Sequence, residues 1–318
     1  MHHKILFIIT LTLLGSISCF SQEYKTGLYT RSIKIAGYTR TYQLYLPSAY
    51  NMQVKLPLVI VIHGGGGTGR AAMKEMEWNK KAFQEGFIVV APDALPVDPK
   101  KSYDLKDNPS TWNDGSGRFN KDVDGIDDVA FINAMIDDIE RNYQIDIKRI
   151  YVTGFSNGAS MTFHVGIELS ARIAAIAPVA GALWITNTAP IYPLSLCYIT
   201  GDSDSFNPIN GGITKNASGG IVGEGKEKQP VIEHIIRWLS FIGCSNKPLS
   251  KTVKGGITHI KYGMGKNNTV IEYYIIEGCG HTWPGHQSLL PQSFLGATTD
   301  KMDATVVIWD FFKSIIKK

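Results

Sequence analysis

The sequence predicts a single α/β domain on a largely parallel, doubly wound sheet, and three observations carry that expectation. Short, continuous apolar and β-branched runs recur at 58–62, 87–91, 150–153 and 194–200, as strands buried on both faces require. Segments with helical apolar spacing alternate with them, which is the pattern of strand–helix–strand crossovers. The chain has 318 residues, 44% apolar and 19% charged, which suits one large domain and demands no second.

Residues 1–21 stand apart. His2, His3 and Lys4 give a basic start, 5–14 an apolar core and 15–21 a small-residue tail. That core is too short to span a bilayer and reads as a secretory signal peptide. The expectation is a secreted or periplasmic chain with a mature domain over 22–318. Cys19 allows a competing lipoprotein anchor, although Ser16 stands where such signals usually carry leucine.

Residues 31–46 alternate around a Gly37-Tyr38 turn and predict a half-buried hairpin. The apolar run 58–62 then opens into His63-Gly64-Gly65-Gly66-Gly67-Thr68-Gly69. Glycines that abut a buried strand and precede a helical segment ending near Phe83 suit a backbone that something approaches closely, such as an oxyanion nest. No G-K-[ST] ends the loop, so it is no phosphate-binding P-loop. A strand at 87–91 follows, and then a long aperiodic stretch, 95–124, containing Trp112. Loops this long in a compact domain are usually functional or disordered; the aromatic suggests a substrate-facing insert, with a surface loop anchored by its tryptophan as the alternative.

Val129, Ile132, Ile136, Ile139 and Tyr143 form the apolar stripe of a helix, with Asp127 and Asp128 at its start. It delivers the chain to a strand at 150–153 and then to Gly154-Phe155-Ser156-Asn157-Gly158. Strand, G-x-S-x-G and helix in that order form a nucleophile elbow, whose tight turn excludes a Cβ beside the serine and strains the serine itself. Strands at 173–176, 194–200 and 269–276 and helices at 231–242 and 304–316 complete the expected sheet.

A serine needs a base oriented by an acid, and on this scaffold the chain order is serine, acid, histidine. Asp202 and Asp204 both follow the strand ending at Thr200, and either is also a natural turn former. His281 follows the last strand in Gly278-Cys279-Gly280-His281-Thr282-Trp283-Pro284-Gly285; His286 is held in reserve, and His164 lies in the helix after the elbow. The oxyanion donors expected are the backbone N–H groups of Asn157 and Gly65. No cluster has metal-ligand spacing, so neither a metal nor another cofactor is expected. A formal charge of +4 with no dense basic run gives no reason to invoke nucleic acid.

Beyond the leader the cysteines are Cys197, Cys244 and Cys279. In an exported chain an odd count suggests one disulfide and one buried thiol. A Cys244–Cys279 bridge would tie the histidine loop to the scaffold, and three free thiols is the competing reading.

Taken together, V-I-H-G-G-G, T-W-N-D-G, V-D-G-I-D-D-V-A-F-I, Y-V-T-G-F-S-N-G-A-S-M and G-C-G-H-T-W-P-G resemble the polyhydroxybutyrate depolymerase and feruloyl esterase group of the α/β-hydrolases, which includes members of carbohydrate esterase family one. The resemblance runs from about 31 to 242 and again around His281. It implies an α/β-hydrolase fold, Ser156 as nucleophile, His281 as base and Asp204 as acid, with Thr200 and Asp202 departing from the group's acid-loop pattern. It also implies substrate-cleft roles for Trp112, Asn113 and Trp283. The group's partner for a cysteine at Cys244 falls near Tyr262-Gly263-Met264, where this chain has none.

The expected activity is therefore that of a secreted serine esterase working through an acyl-enzyme, with feruloyl or acetyl esters on plant cell-wall polysaccharide as substrate and no membrane span. A short-chain polyhydroxyalkanoate depolymerase is the nearest rival. A peptidase fits less well, and a non-catalytic carbohydrate-binding protein on the same fold is the alternative from another class.

Overall fold

The computed structural model describes residues 25–117, 126–222 and 227–317; the predicted leader 1–21, Cys19 included, lies outside the described residues. Two antiparallel strands, β1 (Gly27–Ile35) and β2 (Tyr38–Leu46), open the chain. β3 (Leu56–Ile62) is buried along its whole length and is followed by α1 (Gly69–Glu75), α2 (Trp78–Glu85) and β4 (Ile88–Pro92). α3 (Asp128–Asn142) leads to β5 (Ile145–Phe155), α4 (Asn157–Glu168), β6 (Ala175–Val179) and β7 (Ser195–Gly201). An excursion carrying β8 (Gly212–Ile213) and β9 (Glu227–Lys228) precedes α5 (Val231–Phe241). β10 (Ser250–Lys254), β11 (Ile257–Tyr262), β12 (Ile271–Ile276), α6 (Gln292–Leu295) and α7 (Ala304–Lys313) finish the fold.

The main sheet has ten strands in the order β1-β2-β4-β3-β5-β6-β7-β12-β11-β10. From β4 to β12 every neighbour is parallel, and an antiparallel hairpin closes each edge. Chain order reverses between β3 and β5, and it is at the carboxyl ends of strands around such a switch point that open α/β sheets gather their ligands. β3 leads into the glycine loop there, and β5 ends at Phe155, directly before Ser156.

Helices cover both faces and divide the core in two. On one face α3 and α5 pack Phe131, Ile132, Met135, Ile235 and Trp238 against the sheet. On the other, α2 and α7 bring Trp78, Ala82, Ile308 and Phe312, with Tyr151 stacked on Phe312 at 4.7 Å. Successive residues of a strand alternate between these cores, so a continuous apolar run is needed on every central strand.

The proposed Cys244–Cys279 disulfide is not formed; all three described cysteines are free. Cys279 is buried in the second core, whereas Cys244 packs on the first, across the sheet. The Cys244 thiol instead donates to the Gly263 carbonyl at 2.9 Å, beside the stretch that lacks a cysteine.

Candidate active site

Ser156 has φ 57° and ψ −119° as the N-cap of α4, with its hydroxyl uncommitted to capping. This is a costly conformation for a residue with a side chain. It persists because neighbouring glycines let backbone pack against backbone. A Cβ on Gly158 would stand 2.3 Å from the Ile62 carbonyl oxygen, and one on Gly154 would stand 2.4 Å from that of Gly158. The Ser156 N–H is held by the Val179 carbonyl at 3.0 Å, which anchors the turn to β6.

His281 Nε2 lies 2.7 Å from Ser156 Oγ, and its Nδ1 lies 2.8 Å from Asp204 Oδ2. The other Asp204 oxygen accepts from the N–H groups of Phe206 and Asn207 at 2.9 and 2.8 Å. A carboxylate so held accepts a hydrogen bond from Nδ1–H, which keeps the proton on Nδ1 and leaves the Nε2 lone pair facing the serine hydroxyl. Asp202 does something else: it is exposed, and its Oδ1 accepts from Gly278 N–H at 2.7 Å, joining the tip of β7 to the turn after β12. His286 sits against Asp303, with 3.2 Å between Nε2 and Oδ1. His164 Nδ1 donates to the Asn113 carbonyl at 3.2 Å.

Two aromatic rings flank the imidazole of His281. Phe206 stacks on it at 4.6 Å, and Phe155 lies tilted at 4.8 Å. With the ring buried and both nitrogens engaged, its orientation is fixed. Sequence reasoning missed these two phenylalanines, since a G-x-S-x-G leaves its second position open and nothing marks Phe206. It also missed Asn207, whose Nδ2 donates to Tyr198 Oη at 2.9 Å and whose Oδ1 accepts from Lys228 Nζ at 3.1 Å.

The glycine loop is fixed from beneath by His63. Its Nε2 accepts the Ala94 N–H at 3.0 Å, so the proton lies on Nδ1, which donates to the Gly64 carbonyl at 2.7 Å. The N–H groups of Gly65 and Asn157 have no acceptor among the described residues, and both residues line the cavity at Ser156. Two converging donors at a helix N-terminus beside a nucleophile can bind an oxyanion.

The structure does not bring the three expected substrate-cleft residues into the cavity walls. Trp112 is wholly buried, and its Nε1 donates to the His63 carbonyl at 2.8 Å. Asn113 is exposed, with its N–H donating to Asp128 Oδ2 at 2.8 Å. Trp283 is buried, and its Nε1 donates to Thr305 Oγ1 at 3.0 Å. Trp112 and Trp283 are thus packed inside the protein, while Asn113 is tied to α3 through its backbone. Asp128 is itself held by Arg40 at 2.7 Å, both buried, so the N-terminus of α3, β2 and the tryptophan loop form one unit.

Among the described residues no group of three or more His, Cys, Asp or Glu side chains could hold a metal ion, and no helix is long and apolar enough to cross a membrane.

Several curated relatives align with the chain, among them three esterases and depolymerases. A bifunctional acetylxylan esterase/xylanase of Neocallimastix patriciarum is 27% identical over 53% of this chain and 22% of its own length. A poly(3-hydroxyalkanoate) depolymerase of Paucimonas lemoignei is 24% identical over 76% of this chain and 58% of its own. Feruloyl esterase B of Piromyces equi is 26% identical over 74% of this chain and 41% of its own. Alignments with these three thus span about a fifth to three fifths of their lengths. Among solved structures, an acetyl xylan esterase from Aspergillus awamori superposes with a TM-score of 0.58 at 16% identity, covering 80% of this chain and 94% of that one; this likeness bears on the fold. The model of the phospholipase/carboxylesterase family matches residues 51–215, and the chain belongs to that family, on an α/β-hydrolase fold.

Proposed function

We propose that the chain is a serine carboxylic-ester hydrolase acting on acyl esters of plant cell-wall polysaccharide, with Ser156 as nucleophile, His281 as general base and acid, and Asp204 as the acid that orients it. The observation that carries this reading is the unbroken relay at the cavity wall: 2.7 Å from Ser156 Oγ to His281 Nε2 and 2.8 Å from His281 Nδ1 to Asp204 Oδ2.

In the first step Nε2 takes the serine proton as Oγ bonds to the ester carbon, and the carbonyl oxygen becomes an oxyanion received by the Gly65 and Asn157 N–H groups. The carbon–alkoxide bond breaks, and Nε2 gives its proton to the departing alcohol. Water repeats the sequence on the acyl-serine, releasing the acid and restoring the enzyme. Asp204 stays ionised throughout and stabilises the imidazolium. The polysaccharide assignment rests on the acetylxylan and feruloyl esterases among the relatives. Export through the 1–21 leader is part of the same proposal.

A side-by-side assay on methyl ferulate, acetylated xylan and a 3-hydroxybutyrate oligomer tests it, with Ser156→Ala as blank. Turnover of either cell-wall ester supports the proposal. Turnover confined to the hydroxybutyrate oligomer would keep the chemistry and reject the polysaccharide substrate.

A further inference from the structure

At the end of the sheet opposite Ser156 the chain forms a separate cavity of about 210 Å³. It lies at the amino ends of β6, β7 and β12, against the segment that follows α7, and shares no lining residue with the cavities at Ser156. β7 starts in its wall at Ser195 and ends at Gly201, shortly before Asp204. A strand of that length, at about 3.3 Å per residue, puts roughly 20 Å between this cavity and the triad.

Lys317 brings a charge to the cavity without a counter-charge. Its Nζ donates to the Ser170 carbonyl at 3.4 Å, lies 5.5 Å from the centroid of the Tyr192 ring and, among the described residues, meets no carboxylate. The neighbouring cation, Arg172, is already committed to Asp137 and Glu140 at 2.5 and 2.8 Å. Burial, with the Arg172 charge adding to it, pushes the Lys317 pKa down. A carboxylate entering the cavity supplies the missing counter-charge and a charge-assisted hydrogen bond.

The remaining polar wall is neutral. The Ser170 and Ser195 hydroxyls are buried; they accept the Tyr192 and Val270 N–H groups at 3.3 and 3.1 Å, and each keeps its own proton to donate. Asn267 and Asn268, exposed in the turn before β12, add amides that both give and accept. Phosphate recognition uses several cations or a nest of N–H groups, whereas groups that both give and accept suit the hydroxyls of a sugar. Tyr192 is half exposed at the same cavity and offers an apolar ring on which the C–H face of a pyranose can rest. The volume is below the ~300 Å³ at which sites for drug-sized ligands begin, so it admits one sugar unit. We infer that this cavity is a second binding site, remote from Ser156, for a uronic-acid sugar: carboxylate on Lys317, ring on Tyr192, hydroxyls on the serines and asparagines. The inference stands on this cavity's own groups and does not need the esterase reading above.

Titration of the protein with methyl glucopyranosiduronic acid, methyl glucopyranoside and acetate, followed by calorimetry and saturation-transfer NMR, tests this. The uronoside is expected to bind at least about ten-fold more tightly than either the neutral glycoside or acetate, as one added charge-assisted contact implies. Lys317→Gln is expected to remove that advantage and leave the weak binding of the neutral glycoside as it was. Tyr192→Ala is expected to weaken both sugars, and kcat/KM for 4-nitrophenyl acetate is expected to stay unchanged in both variants. No binding of the uronoside, or binding that neither variant alters, would overturn the site. Acetate bound as tightly as the uronoside would overturn the sugar class, and equal affinity for the two glycosides would overturn the role of Lys317. Failure of 4-nitrophenyl acetate hydrolysis in the wild-type protein bears on the esterase reading and leaves these titrations unaffected.

Discussion

Asn157 and Trp112 are bound to each other as two strand residues would be: Asn157 Oδ1 accepts the Trp112 N–H at 2.8 Å, and Asn157 Nδ2 donates to the Trp112 carbonyl at 3.2 Å. The same amide donates to Asp114 Oδ2 at 2.8 Å. The residue after the nucleophile thus offers its backbone N–H to the cavity and uses its side chain to hold the T-W-N-D loop. That loop in turn supports the glycine segment through Trp112 and His63.

Trp112→Phe removes the donor to the His63 carbonyl and leaves that buried oxygen without it, a loss of about 1–3 kcal/mol. Urea unfolding is expected to show this, with KM for a soluble ester essentially unchanged. A raised KM at unchanged stability would return Trp112 to the substrate cleft.

Asn207→Ala releases the turn that presents Asp204 from Tyr198 and Lys228. Loss of this positioning is expected to lower kcat by about ten- to a hundred-fold, with a smaller change in KM, because misplacement of a catalytic group is felt mainly in the transition state. Steady-state kinetics on one ester decide it, and an unaltered kcat would show that the backbone alone holds Asp204.

Gly158→Ala forces a methyl into the Ile62 and His63 carbonyls, at 2.3 and 2.4 Å. The expected outcome is a loss of roughly 2–4 kcal/mol, or failure to fold. A soluble variant with wild-type melting temperature would contradict the close approach of β3 and α4.

His234 gives the fold a pH dependence. Burial, with the Lys228 charge adding to it, pushes its pKa down from 6.5 to about 4, and its Nε2 is buried without a partner among the described residues. The unfolded chain takes up this proton near pH 6.5 and the folded chain only near 4. The stability contributed by keeping it neutral is therefore present above 6.5 and lost as pH falls towards 4, about 3 kcal/mol in all. Denaturant titrations across that window are expected to show a slope that His234→Phe flattens.

The parallel core was legible because each central strand must be apolar on both faces, and the elbow was legible because its glycines are sterically required. Other parts lacked such signals. β10 is exposed along its length and rich in lysine, so no apolar pattern announces the β10–β11 hairpin, although Gly255 and Gly256, with φ 59° and 74°, mark its turn. A single helical segment was expected after the glycine loop, but the chain breaks at Glu77, which adopts φ 52° between α1 and α2. Trp112 read as a cleft residue because a tryptophan in a polar loop looks exposed; only the tertiary partners, His63 and Asn157, reveal that it is interior. The choice of Asp204 over Asp202 came from resemblance, and the physical difference between them, one facing His281 and one facing Gly278, is a matter of turn geometry. Cys244 and Cys279 looked pairable because sequence does not say which face of the sheet each meets.

Whether Ser156, activated by His281, is the nucleophile is tested by reaction with a fluorophosphonate probe followed by intact-mass and peptide analysis. One phosphonyl group is expected on Ser156 of the wild-type chain, none on the Ser156→Ala variant, and loss of ester hydrolysis by about 10⁴-fold or more in that variant. Unmodified wild-type protein, or a Ser156→Ala variant that still hydrolyses 4-nitrophenyl acetate at the wild-type rate, would contradict it.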